Sequence, residues 1–425
     1  MQKMKHFANI RKTCCIQDAL VIKYNKNGRL GGASKCAVIG DFMRDDFYRR
    51  AFGGNKSAGY DSRFDRKSGN KNAGFGTKGG KEPEWENDIT DTEKKRAKRV
   101  FSTVGTSLFV FSAISYAIIS ITYLVLFLFF REDLERLAAD VYFTWAMNFV
   151  SMYIIAFPAL CFVIRRIKPS AKRKKSRLGI DEFLLLFLSA EGVMMLGNLI
   201  GINFNNLLSM LIGKEISNDV TALISNSPIW LVILVAVIIG PIVEEIIFRK
   251  LLIDRLSVFG DLTAVIISAV LFGLFHGNFY QLFYAAGLGL ILGYIYVKTG
   301  NLLYPTLMHM LINLLGSAAA LPLTDTLLEF ERLTEAMALG GTVDYSRLII
   351  LVNVIFAYVA VEYGMAIAGI VILVKKFRSH SIYLSNRAEI SLSPKKTAKM
   401  AFSSVGMILF LAITAVQIII NIFTA

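Results

Sequence analysis

Three short sequence patterns, EExxxR, FxxxH and HxxxN, place reactive side chains within long apolar runs. Their seven residues are Glu244, Glu245, Arg249, Phe272, His276, His309 and Asn313. An ionised carboxylate or an imidazole at membrane depth is costly and is a candidate functional group, provided that it has partners. The three patterns lie within seventy residues, and each sits in a predicted apolar helix. We therefore expect them to meet in one site.

A carboxylate, two imidazoles and an amide can activate water against a peptide carbonyl. In this interpretation Glu244 accepts the proton of the water, with the help of His276, while His309 and Asn313 donate to the developing oxyanion. A second chemistry stays open, in which the histidines hold a divalent metal, zinc for instance, whose bound water is the nucleophile. Other intramembrane protease designs fit less well, because the sequence contains neither HExxH nor GxGD.

The two adjacent glutamates are predicted to have different roles. Glu245 and Arg249 are four residues apart on a helix, in the favourable orientation for an ion pair. Glu244 is rotated from Glu245 by about 100° around the same helix. One carboxylate is then held by the arginine, and the other is free for chemistry.

The elements that position these residues are predicted to be membrane-spanning helices. Apolar runs long enough to span alternate with short polar links from residue 100 onward, and we predict nine of them, near 104–130, 141–164, 182–202, 228–248, 262–276, 280–297, 301–320, 348–374 and 401–424. If the fourth run continues to about Ser257 and turns at Gly260, Glu244 and His276 are equally distant from the turn, about 24 Å along each arm. Charged residues near that turn predict a hairpin tip that projects into the cytoplasm: Arg249, Lys250, Asp254 and Arg255.

Composition sets the class of protein. Apolar residues make up 54% of the chain and charged residues 19%, which is typical of a polytopic membrane protein rather than a large soluble core. The net charge of +15 would suggest a nucleic-acid partner in a soluble chain, but the basic residues cluster between apolar runs. The positive-inside rule explains them better and places the basic links 165–177 and 375–399 with the N-terminal tail on the cytoplasmic side of the plasma membrane. We expect the lipid bilayer and no nucleic acid as a partner.

Four regions follow from these patterns, in an all-α transmembrane bundle of about eight or nine spans. Residues 1–99 are rich in Gly, Lys, Asn and Asp and are predicted to form a disordered basic cytoplasmic tail. Residues 100–177 comprise a helix pair and a basic loop, and residues 178–320 form the core that contains the three motifs. Residues 321–425 contain an amphipathic link on the outer surface, followed by the C-terminal spans.

Together the three motifs resemble the CPBP family, which comprises CAAX prenyl proteases and bacteriocin-processing enzymes and is also called the Abi domain. The resemblance covers roughly residues 180–320 and implies an intramembrane endopeptidase. It implies that Glu244 activates water with His276, and that His309 and Asn313 stabilise the oxyanion, with Glu245 and Arg249 in support. The substrate it implies is a membrane protein or a lipidated peptide, in eukaryotic members a prenylated C-terminus.

Non-enzymatic functions compete with this interpretation. The same polar groups could serve a bacteriocin-immunity protein, or a proton-coupled transporter in which they relay protons. A transporter would be favoured by an inverted repeat of broken spans, and the sequence shows none.

Overall fold

The computed structural model describes residues 89–170, 173–318, 321–384 and 388–424, and in these ranges all regular secondary structure is helical. The chain divides into two units by its contacts. One unit comprises Glu86–Lys375 and Tyr383–Ala425 and contains the helices described below, apart from the end of one of them. The other comprises Met1–Trp85 and Lys376–Ile382, of which the structure describes the end of one helix and its turn. The predicted disorder of residues 1–88 lies outside the described residues.

Thirteen helical segments follow one another in the described part of the chain. They are α1 Asp91–Phe129, α2 Arg131–Ala139, α3 Val141–Ile164, α4 Ile180–Ile212, α5 Asp219–Ser225, α6 Ile229–Phe259, α7 Asp261–Phe275, α8 Phe279–Thr299, α9 Leu303–Asn313, α10 Leu321–Ala338, α11 Tyr345–Arg378, α12 Pro394–Phe402 and α13 Val405–Thr424. Helices α3 and α6 each contain stretches of wider, π-helical winding, and a further π-helical turn follows α9.

Eight of the described helical stretches are long and apolar enough to cross a membrane. They correspond to eight of the nine predicted spans, and the stretch that corresponds to 301–320 is Leu303–Ala338, which comprises α9 and α10. The chain is therefore a multi-pass, all-α membrane protein. The ninth predicted span, at 262–276, is α7, an apolar helix of only 15 residues. At 1.5 Å per residue this helix covers about 22 Å, less than the hydrocarbon thickness of a bilayer. Helix α4 also differs, since it ends at Ile212 rather than at 202.

The first helix begins earlier than the sequence patterns predict. Thr90 caps α1 by accepting from the backbone N–H of Glu93, whose carboxylate accepts from the N–H of Thr90 in return. This reciprocal arrangement satisfies two N–H groups that a helix start otherwise leaves unpaired. The basic cluster at 94–99, assigned above to the tail, is therefore the first part of a 39-residue helix.

Helix α1 packs closely against the last helix, α13. A Cβ on Gly105 would lie 2.2 Å from the backbone nitrogen of Met407, and one on Gly406 would lie 1.9 Å from the carbonyl oxygen of Ser102. These two glycines permit a backbone approach that any larger residue would block, which is a common means of helix association in membranes. The C-terminal span is thereby joined to the start of the bundle.

Helices α6 and α7 form the predicted hairpin. The helical run from Ile229 ends at Phe259, and Gly260 makes the turn with a φ of 91°, a backbone conformation that favours glycine. The hydroxyl of Ser268 donates to the carbonyl of Phe248 at 2.8 Å, so the two arms also bond directly. This hairpin brings the EExxxR and FxxxH motifs side by side.

Three of the four charged residues near the hairpin tip, Arg249, Asp254 and Arg255, are buried within the protein, whereas the side chain of Lys250 is 58% exposed. Asp254 is 1% exposed and accepts from Nε of Arg173 at 3.2 Å and from the hydroxyl of Tyr296 at 2.9 Å. Arg255 is also buried and donates to backbone carbonyls of the link that follows α3, including that of Ile167 at 3.0 Å. The basic link 165–177 therefore contributes side-chain and backbone partners to the tip, because a buried charge needs such partners.

The link predicted as an amphipathic surface helix is helical. Helix α10 covers Leu321–Ala338, and none of its residues is buried. Its carboxylate Glu329 accepts two hydrogen bonds from Arg347 of α11, at 2.8 and 2.7 Å. The link thus has a defined contact with the following span.

Candidate active site

Glu245 is the most enclosed acid of the predicted site. None of its side chain is exposed, and its two oxygens contact different partners. Oε2 lies 2.9 Å from Nε of Arg249, which is the predicted ion pair, and Oε1 lies 3.0 Å from Nδ1 of His309. A carboxylate can only accept, so it selects the tautomer in which Nδ1 of His309 carries the proton. Glu245 thereby fixes the orientation of the imidazole.

Arg249 is the charge that compensates Glu245. It is 1% exposed, and its guanidinium carbon lies 4.7 Å from the centre of the Phe272 ring. Among the described residues no acceptor is aligned for a hydrogen bond with its guanidinium nitrogens. The arginine is therefore held by Coulombic attraction to Glu245 and by the face of the aromatic ring, a combination that strengthens in a low-dielectric interior.

Glu244 has a different environment from its neighbour. Its side chain is 21% exposed, and Oε2 lies 3.7 Å from Nε2 of His309. It also lines a cavity of about 220 Å³, into which His276 faces from the other arm of the hairpin. The two glutamates therefore differ as expected, one locked in an ion pair and the other at a cavity.

His276 ends α7 with one ring nitrogen already engaged. Its Nδ1 lies 2.8 Å from the backbone carbonyl oxygen of Phe272. A carbonyl oxygen only accepts, so Nδ1 carries the proton and Nε2 of the neutral ring keeps its lone pair. The next residue, Gly277, has a φ of 65° and terminates the helix. The backbone thus sets both the position and the tautomer of this imidazole.

Phe272 connects the three motifs. Its ring centre lies 5.0 Å from that of His276 and 5.7 Å from that of His309, both in edge-on geometry, and Arg249 covers one face. The side chain is 1% exposed. An aromatic ring packed against both imidazoles restricts their rotation, so Phe272 has the supporting position that the FxxxH pattern predicts.

Asn313 of the HxxxN motif makes a hydrogen bond to a residue outside the three motifs. Its Nδ2 donates to the backbone carbonyl of Ala236 at 2.9 Å, which joins α9 to α6. It is not among the residues that line the cavity. An amide nitrogen has two N–H groups, and this contact uses one. The structure therefore brings Glu244, Glu245, Arg249, Phe272 and both histidines together, while Asn313 lies at the side of the group.

Irregular helix winding surrounds the site. Arg249 lies in the π-helical stretch Ile246–Ile253, and Ala236 lies in another, Ile233–Ile239. The stretch Leu314–Ala318 directly follows Asn313. Wider winding changes the direction of side chains along a helix and is frequent at functional sites. Spacing arguments based on 3.6 residues per turn cannot foresee it.

The walls of the cavity include polar residues that the sequence patterns did not single out. Besides Glu244 and His276 they are contributed by α1, α3, α8 and α13: Ser112, Ser115, Tyr116, Asn148, Gln281 and Gln417. Gln417 is 6% exposed and belongs to the last helix, far from the motifs in sequence. The sequence signal for Gln417 is an amide side chain within an apolar span. A search of the sequence for ionisable residues alone does not find it.

A resident metal does not fit the described side chains. Within the described ranges no three His, Cys, Asp or Glu side chains are grouped closely enough to hold a metal ion. Catalytic zinc sites use three protein ligands. The described site residues therefore fall short of the three-ligand set that a catalytic zinc ion needs.

Comparisons with known proteins match the same part of the chain. Residues 226–315 match the family model described as type II CAAX prenyl endopeptidase, Rce1-like. A curated relative from Bacillus subtilis (strain 168), with the name "Putative membrane peptidase YdiL", is 33% identical over 103 residues. These residues are 24% of this chain and 42% of the relative, so the chain spans less than half of that protein. No solved structure matches.

The matched segment contains all three motifs and both arms of the hairpin, together with α8 and α9. The motifs assembled around Phe272 thus lie in the same residues, 226–315, in which this chain is similar to Rce1-like type II CAAX prenyl endopeptidases.

Proposed function

We propose that the protein is a membrane-embedded endopeptidase that hydrolyses a peptide bond with water activated by Glu244. The observation that carries the proposal is the shared cavity of Glu244 and His276, beside a His309 that Glu245 and Arg249 hold in place. A carboxylate with room for water and a neighbouring imidazole are what general-base hydrolysis needs.

In the first step a water in the cavity attacks the carbonyl carbon of the substrate. Its proton goes to the carboxylate of Glu244, and the carbonyl electrons move to the oxygen. We assign His309 as a donor to this oxyanion in its doubly protonated form, in which Glu245 accepts from Nδ1–H and Nε2–H, 3.7 Å from Glu244, donates to the substrate oxygen. The second N–H of Asn313 would be the other donor, after a rotation of the amide toward the substrate.

In the second step the tetrahedral intermediate collapses and the carbon–nitrogen bond breaks. The proton on Glu244 goes to the leaving amine, directly or through Nε2 of His276, whose lone pair is available in the cavity. The products are a carboxylic acid and an amine, which become a carboxylate and an ammonium by proton transfer in water, and the enzyme returns to its starting charges. Phe272 and Arg249 take no part in proton transfer and keep the histidines in position.

The substrate is proposed to be a membrane protein or a lipidated peptide. The cavity is bounded by α1, α3 and α13, three helices apolar enough to lie in a bilayer, so a substrate anchored in the lipid could reach it. A prenylated C-terminal peptide is the first candidate, since the matching family is described by that activity. The setting proposed is the plasma membrane with the basic links on the cytoplasmic side.

A comparison of membrane peptidomes tests activity and substrate together. Cells with the wild-type protein are compared with cells that carry Glu244→Gln, and with a matched control, Glu191→Gln, which alters a carboxylate of α4 outside the cavity. We expect peptides that disappear in Glu244→Gln and persist in Glu191→Gln. Identical peptidomes for all three proteins would contradict the proposal and favour a non-catalytic role.

A further inference from the structure

A second cavity, here called the basic groove, lies where the first and the penultimate helices begin. Its volume is about 540 Å³, larger than the candidate active-site cavity. Residues from the start of α1 and from α12 line it: Ile89, Asp91, Lys94, Lys95, Lys98, Leu392, Lys396 and Met400. None of them belongs to the segment that matches the endopeptidase family.

The charge of the groove is strongly positive. Four of the eight lining residues are lysines, and one is an aspartate. Asp91 pairs with Lys94 at 3.1 Å, but its own side chain is 90% exposed and points largely to solvent. The lysines follow the spacing of one helix face, since Lys94 and Lys98 are four residues apart. The groove is thus suited to an anion.

The groove lies at the level where two spans enter the membrane. Helices α1 and α13 run side by side in the same direction, with the N–H of Gly406 donating to Oγ of Ser102 at 3.2 Å. Val104, the start of the apolar run of α1, is only about 9 Å beyond Lys98 at 1.5 Å per residue. Met400 is a similar distance before the start of α13. Lysines at this depth face the headgroup layer of a bilayer.

Apolar side chains form the remaining wall. Ile89, Leu392 and Met400 are partly buried, and each packs against the main hydrophobic core. A wall of this kind suits the glycerol and upper acyl part of a lipid, whereas a small soluble anion would gain nothing from it. Basic clusters next to a span or on an amphipathic helix attract anionic lipids.

We propose that the basic groove binds one anionic phospholipid, with its phosphate among Lys94, Lys95 and Lys98 and its glycerol region against the apolar wall. Helix α1 continues from the groove to the wall of the active-site cavity, and so does α13, which directly follows α12. The bound lipid therefore fixes the entry point of both helices. The proposal is independent of the proteolytic activity.

Native mass spectrometry of the full chain in detergent tests the proposal, with dioleoyl phosphatidylglycerol as the anionic lipid and dioleoyl phosphatidylcholine as the neutral one. The test variant is the triple Lys94→Gln, Lys95→Gln, Lys98→Gln. The control variant removes the same charge elsewhere, by Lys174→Gln, Lys175→Gln and Arg177→Gln in the basic link. Among the ion pairs of the described residues, only the exposed Lys94–Asp91 pair involves one of these six positions. Thermal unfolding verifies that both variants are folded.

We expect a one-to-one phosphatidylglycerol adduct in the wild type and in the control variant, weakened about tenfold or more in the groove variant, since each lysine near a lipid surface contributes several-fold in affinity. Phosphatidylcholine should not displace phosphatidylglycerol from this adduct. An adduct of equal strength in the groove variant would overturn the proposal. Equal binding of the two lipids would also overturn it, and so would full competition by inorganic phosphate, which would identify a site for soluble anions.

Discussion

Nδ1 of His309 lies 3.0 Å from Oε1 of Glu245, a carboxylate with no exposed surface. This contact joins α9 to the EExxxR segment of α6, and it decides which nitrogen of His309 faces Glu244. Because the other oxygen of Glu245 contacts Arg249, the role of Glu245 is to hold two partners. Its removal should therefore affect the fold, and the removal of Glu244 should affect the reaction.

Glu245→Ala is expected to destabilise the protein by about 3–5 kcal/mol, because it leaves Arg249 as an unpaired buried charge. The measurement is unfolding in detergent micelles, monitored by tryptophan fluorescence. Glu244→Gln, the adjacent substitution at a partly exposed side chain, serves as the control and should change stability by about 1 kcal/mol or less. If the two variants were equally stable, the inference that Glu245 supports the fold and Glu244 the reaction would be wrong.

His276→Ala is expected to lower the rate of peptide hydrolysis by about 10²–10⁴-fold, the usual contribution of a positioned general acid or base. The binding of substrate should change little, so the loss should appear in kcat. His380→Ala, at a histidine outside the core unit, is the control and should retain full activity. A His276→Ala enzyme with wild-type kcat would remove this residue from the mechanism.

Gln417→Leu tests whether the last helix forms part of the substrate site. Gln417 lines the cavity. Its Oε1 lies close to Gly277, the residue after His276, since a Cβ atom added to Gly277 would be only 2.6 Å from it. We expect kcat/KM to fall about tenfold, the effect of one lost hydrogen bond to a bound group. Val416→Ala, at the neighbouring side chain with 52% exposure, should leave kcat/KM unchanged. Equal effects of both variants would indicate a packing role only.

Asp254→Ala is expected to destabilise the hairpin tip by about 3–5 kcal/mol, since the buried carboxylate accepts from Arg173, Tyr296 and Lys250. Activity per folded molecule should persist, because neither Asp254 nor these partners line the cavity. Lys250→Gln is the control: its side chain is 58% exposed, and an exposed pair contributes about 1 kcal/mol or less. Unfolding by heat in the presence and absence of lipid measures both.

Treatment with 1,10-phenanthroline or EDTA is expected to leave hydrolysis unchanged, because no three described ligands are grouped for a metal. The assay compares chelator-treated enzyme with enzyme to which zinc is restored. Loss of activity with the chelator and recovery with zinc would contradict the side-chain mechanism and support the metal-dependent alternative.

The sequence predicts the general organisation of this protein well because its signals are strong and local. Apolar length identifies the spans, Gly260 marks the turn of the hairpin, and the four-residue spacing identifies the Glu245–Arg249 pair. The equal distances of Glu244 and His276 from the turn are sufficient to predict that they share a cavity. For this pair of residues, regular helix geometry is sufficient for the prediction.

Other features depend on contacts between distant segments, and helix periodicity does not encode them. The burial of Asp254 requires Arg173, a residue from a link that the charge pattern assigns to the cytoplasmic surface. The bond from Asn313 reaches Ala236, which lies in a π-helical stretch that a period of 3.6 residues does not predict. Gln417 reaches the cavity only because Gly105 and Gly406 let α13 approach α1.

The most direct test of the central claim is single-turnover hydrolysis by Glu244→Gln in proteoliposomes, with a fluorescently quenched farnesylated peptide and Glu191→Gln as the control. The account predicts that Glu191→Gln cleaves at the wild-type rate and that Glu244→Gln is slower by about 10²–10⁴-fold, with its fold intact. Cleavage of the peptide by Glu244→Gln at the wild-type rate would contradict the claim that Glu244 activates the water.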